Sequence, residues 1–200
     1  EMIARAKAAG VTHCFMPAID SSYTQRMFQL KNEYPDYVFL MNGLHPCSVK
    51  ENYKEELAHV ETLMSAHPFC AIDEIGIDLY WDKTFLKEQQ EAFAWQIQLA
   101  KKHHLPIVIH CREAFEEVFE VLETEKSDDL FGDFSALDTE KQAHRAINYG
   151  LHLGIGGVVT FKNGKIDQFL KNIDLCHIVL ETDSPYLAPV PYRGKRNESA

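Results

Sequence analysis

Short apolar blocks alternate along this chain with longer, helix-like amphipathic stretches. The blocks cover 11–16, 37–41, 69–73, 106–110, a weaker one near 130–134, 151–155 and 176–180. The stretches between and before them predict helices over 2–9, 21–33, 53–66, 84–104, 113–125, 138–149 and 165–171. Gly10 is a natural stop for the first helix. Strand followed by helix, repeated, predicts parallel strands joined by helical crossovers. The fold class is therefore α/β, and the architecture expected is a TIM-type (β/α)8 barrel forming one domain over residues 1–200. A complete barrel needs about 250 residues. This chain opens on a helix and finishes in a loop rich in Pro, Gly and Arg. The barrel is expected to lack its first strand and its C-terminal helix or helices.

Four residues follow the apolar blocks: His45, Glu74, His110 and Asp183. Parallel strands put all their C-terminal ends on one face, which carries the active site in α/β barrels. Two imidazoles and two carboxylates converging there form a donor set for a divalent cation. Hydrolysis needs a hydroxide near neutral pH, and a bound metal lowers the pKa of water toward about 7. His110 is followed by Arg112, and Asp183 by Arg193, Lys195 and Arg196. These cations could hold phosphate oxygens.

Composition narrows the classes. A net charge of −10 argues against a broad basic nucleic-acid surface, though not against a small phosphate site. No apolar run approaches the roughly 18 residues of a membrane span, so no membrane association is expected. Cys14, Cys47, Cys70, Cys111 and Cys176 are widely spaced, with no C-x-x-C. They read as buried or partly buried reduced thiols, which suggests a cytoplasmic setting. No protein partner is indicated. Gly154, Gly156 and Gly157 open no dinucleotide fingerprint and read as sites of close backbone approach at the barrel rim. Phe85, Phe93 and Trp95 belong to the core pattern of helix 84–104, whereas Tyr80 and Trp81 follow Glu74 in a loop and could stack on a base.

Six motifs in order carry a family resemblance: Gly43-Leu44-His45-Pro46, Ala71-Ile72-Asp73-Glu74-Ile75-Gly76-Ile77-Asp78, Pro106-Ile107-Val108-Ile109-His110-Cys111-Arg112, Gly154-Ile155-Gly156-Gly157-Val158-Val159-Thr160-Phe161, Leu180-Glu181-Thr182-Asp183-Ser184-Pro185-Tyr186-Leu187 and Pro191-Tyr192-Arg193-Gly194-Lys195-Arg196-Asn197-Glu198. Together they resemble the TatD family of metal-dependent deoxyribonucleases, a branch of the amidohydrolase-like TIM barrels. The resemblance implies DNA as substrate and one or two divalent ions, Mg²⁺, Mn²⁺ or Zn²⁺. It implies that Glu74, His110 and Asp183 bind metal, with Glu74 bridging. It further implies that Asp183 positions or deprotonates the attacking water and that His45 lines the site and contacts phosphate.

Two departures stand out. The family's opening strand with D-x-H-x-H is absent from this sequence. Its later F-H-x-F-[ST]-G histidine corresponds to the stretch Gly132-Asp133-Phe134-Ser135-Ala136-Leu137-Asp138, where Ser135 is the expected occupant. His144 falls inside a helix and is not equivalent. Other readings stay open. His45 or His110 alone could be structural, Glu74 with Asp73 could be a solvated loop pair, Asp183 could cap a turn at Ser184-Pro185, and the basic tail could be merely solvated. The rival functions are an amidohydrolase-like enzyme on a small ester, amide or lactone, and a family member with a decayed metal site.

Overall fold

The computed structural model describes residues 1–135, 137–162 and 164–200. Its strands are β1 (Cys14–Met16), β2 (Val38–Leu40), β3 (Ile72–Asp78), β4 (Ile107–Arg112), β5 (Gly132–Ser135), β6 (Leu151–Ile155) and β7 (Ile178–Leu180). Its α-helices are α1 (Met2–Ala8), α2 (Thr24–Glu33), α3 (Tyr53–Ala66), α4 (Leu86–His103), α5 (Phe115–Glu125), α6 (Glu140–Asn148) and α7 (Ile166–Leu170). Every strand pairing is parallel, in the order β1-β2 and β3-β4-β5-β6-β7. A single bridge, Asn42 to Ile72, joins the two sheets. The fold is thus an α/β barrel of the TIM type. Among the described residues it is open between β1 and β7, and no helix or strand follows β7.

The two-residue period of the strands separates chemistry from packing. In β4, Ile107, Ile109 and Cys111 are buried while Val108, His110 and Arg112 alternate with them on the other face. Ile75 and Ile77 of β3 are fully buried and join the same core as Phe93 and Ile97 of α4 and Phe119 of α5. Each such side chain contributes about 1.5–3 kcal/mol on leaving water, so the helical layer fixes which strand residues turn inward. Phe85 and Trp95 pack at the margin of this core. Helix α6 is capped by Thr139 and Gln142 in a reciprocal box.

Several expected boundaries move. Strand β3 does not stop at residue 73 but runs to Asp78, so Glu74 lies inside a strand, and His110 likewise lies inside β4. Polar residues ended the apolar blocks in sequence, but inward-facing positions of a barrel can be polar without ending the strand. Gly76 makes the extension possible: it pairs with His110 at φ +139°, and a Cβ there would sit 2.0 Å from the His110 carbonyl oxygen. His45 follows β2 by several residues and caps a short 3₁₀ turn, Pro46–Ser48. Residues 21–23 form a 3₁₀ turn before α2, and 175–177 another before β7. The cysteines are all free, but Cys47 and Cys176 are exposed rather than buried: Cys47 sits in the 3₁₀ turn after His45 and Cys176 in the one before β7. Among the described residues no helix is long and apolar enough to cross a membrane.

Candidate metal centre

Strands β3 and β4 and the turn after β2 bring His45, Glu74 and His110 together, with one donor atom of each within 4.8 Å of the others. The two imidazole rings lie 4.6 Å apart between centroids. Close passage of the chain at Gly43 permits this. A Cβ there would lie 2.6 Å from the Asp73 carbonyl oxygen.

Hydrogen bonds assign the two imidazoles different chemistry. His45 Nδ1 accepts the Cys47 amide at 3.1 Å, so in the neutral ring the proton sits on Nε2. That Nε2 lies 3.3 Å from Glu74 Oε2. His45 is therefore built to donate into the site rather than to ligate through Nε2. His110 is the reverse case. Its Nε2 bonds Asp78 Oδ2 at 2.9 Å, which leaves Nδ1 with a free lone pair. A carboxylate holding the second nitrogen of a ligating histidine fixes its tautomer and raises its basicity.

Asp78 is itself firmly seated. Its backbone N–H donates to Gln89 Oε1 and its carbonyl accepts from Gln89 Nε2, while its Oδ1 accepts the Tyr80 amide at 3.0 Å. Burial works against its charge, but the hydrogen bonds from His110 and Tyr80 outweigh burial and hold the carboxyl down at about 2. Burial also works against Glu74, and the hydrogen bond and charge of His45 win there too, lowering it. Asp78 was quoted in the sequence motif without a role. Its place two residues after the motif's Gly76 was the available signal, and only the pairing of β3 with β4 shows what it touches.

Across the site the balance reverses. Burial lifts Asp133 to about 6 against the pull of His152, and Glu74 adds to the lift. Burial also lifts Glu181 to about 7, with Asp183, Asp133 and Glu74 adding to it and a hydrogen bond from Ser135 opposing. Asp183 is raised by burial and by Glu74, and His110 pulls it back. Asp73 is raised well above the carboxylate range by burial and by Glu74, Asp133 and Glu181. Among the described residues its buried Oδ1 has no hydrogen-bond partner.

Ser135 ends β5 opposite Gly154 of β6, and its hydroxyl donates to Glu181 Oε2 at 2.6 Å. A Cβ at Gly154 would fall 2.7 Å from that hydroxyl and 3.0 Å from the Glu181 carboxylate, so glycine there makes room for the pair. Ala136, the next residue of that stretch, lies outside the described residues.

Buried carboxylates that raise one another, one of them with an orphaned oxygen, form a site that a cation would stabilise. The donor set of carboxylates plus the free Nδ1 of His110 fits a divalent ion such as Mg²⁺, Mn²⁺ or Zn²⁺. Asp183 feels both Glu74 and His110, although the tight group contains His45 in its place. Arg112 follows His110 on the same face of β4 and is exposed. Arg193 stacks on Phe161 at 3.8 Å and lines a cavity of about 870 Å³ with Leu137, Val158, Lys162 and Lys165. None of His45, Glu74, His110 and Asp183 borders that cavity. Lys195 lies 5.8 Å from the Tyr192 ring, and it and Arg196 are exposed.

A metal-dependent hydrolase from Bacillus subtilis, YabD, is 36% identical over 200 residues, covering 99% of this chain and 78% of its own length. The metal-dependent hydrolase YcfH of Escherichia coli K12 is 30% identical, covering 100% of this chain and 75% of its own length. The crystal structure of YJJV, a TatD homologue from Escherichia coli K12, superposes with a TM-score of 0.90 at 25% identity, covering 99% of this chain and 77% of that one. The family model described as TatD related DNase matches residues 1–200, and the chain belongs to that family.

Proposed function

We propose that this protein hydrolyses phosphodiester bonds of DNA, with one or two divalent ions held by Glu74, His110 and Asp183. The observation that carries the reading is the division of labour at the site. His110 is oriented by Asp78 with Nδ1 free, and it faces carboxylates that crowd one another. A divalent ion bound there supplies Lewis acidity and a water acidic enough to ionise near neutral pH. Asp183, its carboxyl raised by burial and by Glu74, positions the attacking water and takes its proton. His45, whose Nε2–H faces Glu74 Oε2 at 3.3 Å, would turn that donor to a phosphate oxygen once Glu74 holds metal. Arg112 neutralises a non-bridging oxygen from the rim, and Arg193, Lys195 and Arg196 add positive charge to an acidic surface that would otherwise repel DNA.

The family name and the relatives' description as metal-dependent hydrolases support hydrolysis. The DNA substrate is tested by cleavage of a labelled oligodeoxynucleotide before and after chelation, and after return of Mg²⁺, Mn²⁺ or Zn²⁺. Cleavage that disappears with the chelator and returns with metal is expected. Metal-dependent turnover of small esters or lactones with intact DNA would transfer the site to the amidohydrolase-like reading. The serine at position 135 favours a third reading, a site with weakened metal binding. Bound metal without hydrolysis of either substrate class would select it.

A further inference from the structure

Helix α4 buries two glutamines, Gln89 and Gln96, together with Ala92, Phe93 and Ile97. They are 3% and 1% exposed. Seven residues are close to two turns, so both side chains leave one face of the helix, about 10 Å apart along its axis. Each amide is spent on both backbone groups of a single residue. Gln89 Oε1 accepts the Asp78 N–H at 2.8 Å, and its Nε2 donates to the Asp78 carbonyl at 3.2 Å. Gln96 repeats this with Leu44, at 2.6 Å and 3.2 Å. The orientation of both amides is dictated, because a backbone N–H only donates and a carbonyl only accepts.

The two residues held are each one step from an imidazole of the metal centre. Leu44 belongs to no strand or helix and precedes His45, whose own amide donates to the Ile19 carbonyl at 2.9 Å. Asp78 ends β3, and its Oδ2 bonds His110 Nε2 at 2.9 Å. Neither glutamine is among the converging donor groups themselves. A side-chain amide paired with both groups of one residue holds it as a neighbouring strand would. An apolar residue of similar volume could fill either position, but it would orphan two buried backbone groups. Packing alone therefore does not account for two buried amides.

We propose that Gln96 and Gln89 are positioning residues, one for each imidazole: Gln96 sets His45 through Leu44, and Gln89 sets His110 through Asp78. The proposal rests on the reading given above, in which His45 donates toward substrate and His110 ligates metal. One helix thereby fixes how the two rings stand to each other, 4.6 Å apart between centroids.

The test reads the imidazoles directly, without DNA or metal. In the chelated, ¹⁵N-labelled protein both rings should carry their proton on Nε2, with the signals assigned by His45→Ala and His110→Ala. Gln96→Met should bring the His45 nitrogens toward tautomer averaging and leave the His110 tautomer in place. Gln89→Met should do the reverse. Where a Met variant does not fold, Gln96→Glu or Gln89→Glu carries the same comparison, since each keeps side-chain length and an oxygen for the backbone amide. Either variant altering both tautomers, or neither variant altering any, would overturn the proposal. With metal restored, Gln96→Met should slow single-turnover DNA cleavage roughly tenfold and add nothing in a His45→Ala background. Additive losses would overturn the positioning role. The crossed pattern of tautomers in a protein that leaves DNA intact would keep that role and remove the nuclease reading.

Discussion

The two halves of the site solve opposite electrostatic problems. On the β3–β4 side two carboxylates have a histidine each, Asp78 with His110 at 2.9 Å and Glu74 with His45 at 3.3 Å, while Asp73 is raised like the acids across the site. Asp78 and Glu74 are held below their ordinary values there. On the β5–β7 side Asp133, Glu181 and Asp183 are raised, and the described contact of Glu181 is a serine hydroxyl. Carboxylates of one barrel are thus driven in opposite directions by what faces them. On the first side Asp78 and Glu74 are matched by histidines of the chain. The second is poised to accept positive charge. That difference teaches where a cation would act: it would relieve the crowded side while His110 anchors it from the satisfied one.

Substitutions can break this contrast. The largest effect is expected from Asp183→Asn, which keeps shape but cannot accept a proton. Single-turnover DNA cleavage at saturating Mg²⁺ or Mn²⁺ should fall roughly 10²–10⁴-fold, with DNA binding in chelator unchanged. A wild-type cleavage rate would remove Asp183 from proton transfer.

Asp78→Asn attacks the satisfied side. It takes away the charge that orients His110, so affinity for Zn²⁺ or Mn²⁺ by calorimetric titration should drop about 10–100-fold. Unchanged affinity would mean that His110 needs no such partner or does not ligate.

The smallest effect concerns pH in the metal-free protein. Glu181 is raised from 4.5 to about 7. The stability it contributes is therefore fully present below about 4.5 and is lost as pH rises through about 7. Asp78, lowered from 3.8 to about 2, runs the other way: its contribution is present above about 4 and is lost as pH falls through about 2. Glu181→Gln should accordingly stabilise the chelated protein by about 1–2 kcal/mol at pH 8 and by nothing at pH 4. Urea melts at the two pH values measure this. A uniform gain at both would show that packing, not charge, distinguishes the halves.

Much of the architecture was legible because periodicity is local. The order of strands and helices, α3 over Tyr53–Ala66 and β6 over Leu151–Ile155 follow from apolar spacing alone. Boundaries at β3 and β4 did not, because an inward-facing acid such as Glu74 resembles the start of a loop until a partner strand is seen beside it. The candidate ligands Glu74, His110 and Asp183 were visible as motif residues, and so was the serine at position 135. Their partners were not. Asp78 lies 32 residues from His110, and Ser135 lies 46 from Glu181.

The sequence by itself determined the α/β class, the parallel order, the family and the residue types available at the strand ends. Those rest on side-chain size and polarity repeating over a few residues, and on motifs that need no third dimension. Only the tertiary structure decided which nitrogen of each histidine is free, which acids are charged, and that Trp81 stays in water beside Arg112. Hydrogen bonding, desolvation and charge–charge interaction act over a few ångströms of space, and the barrel brings into that range residues the chain keeps far apart.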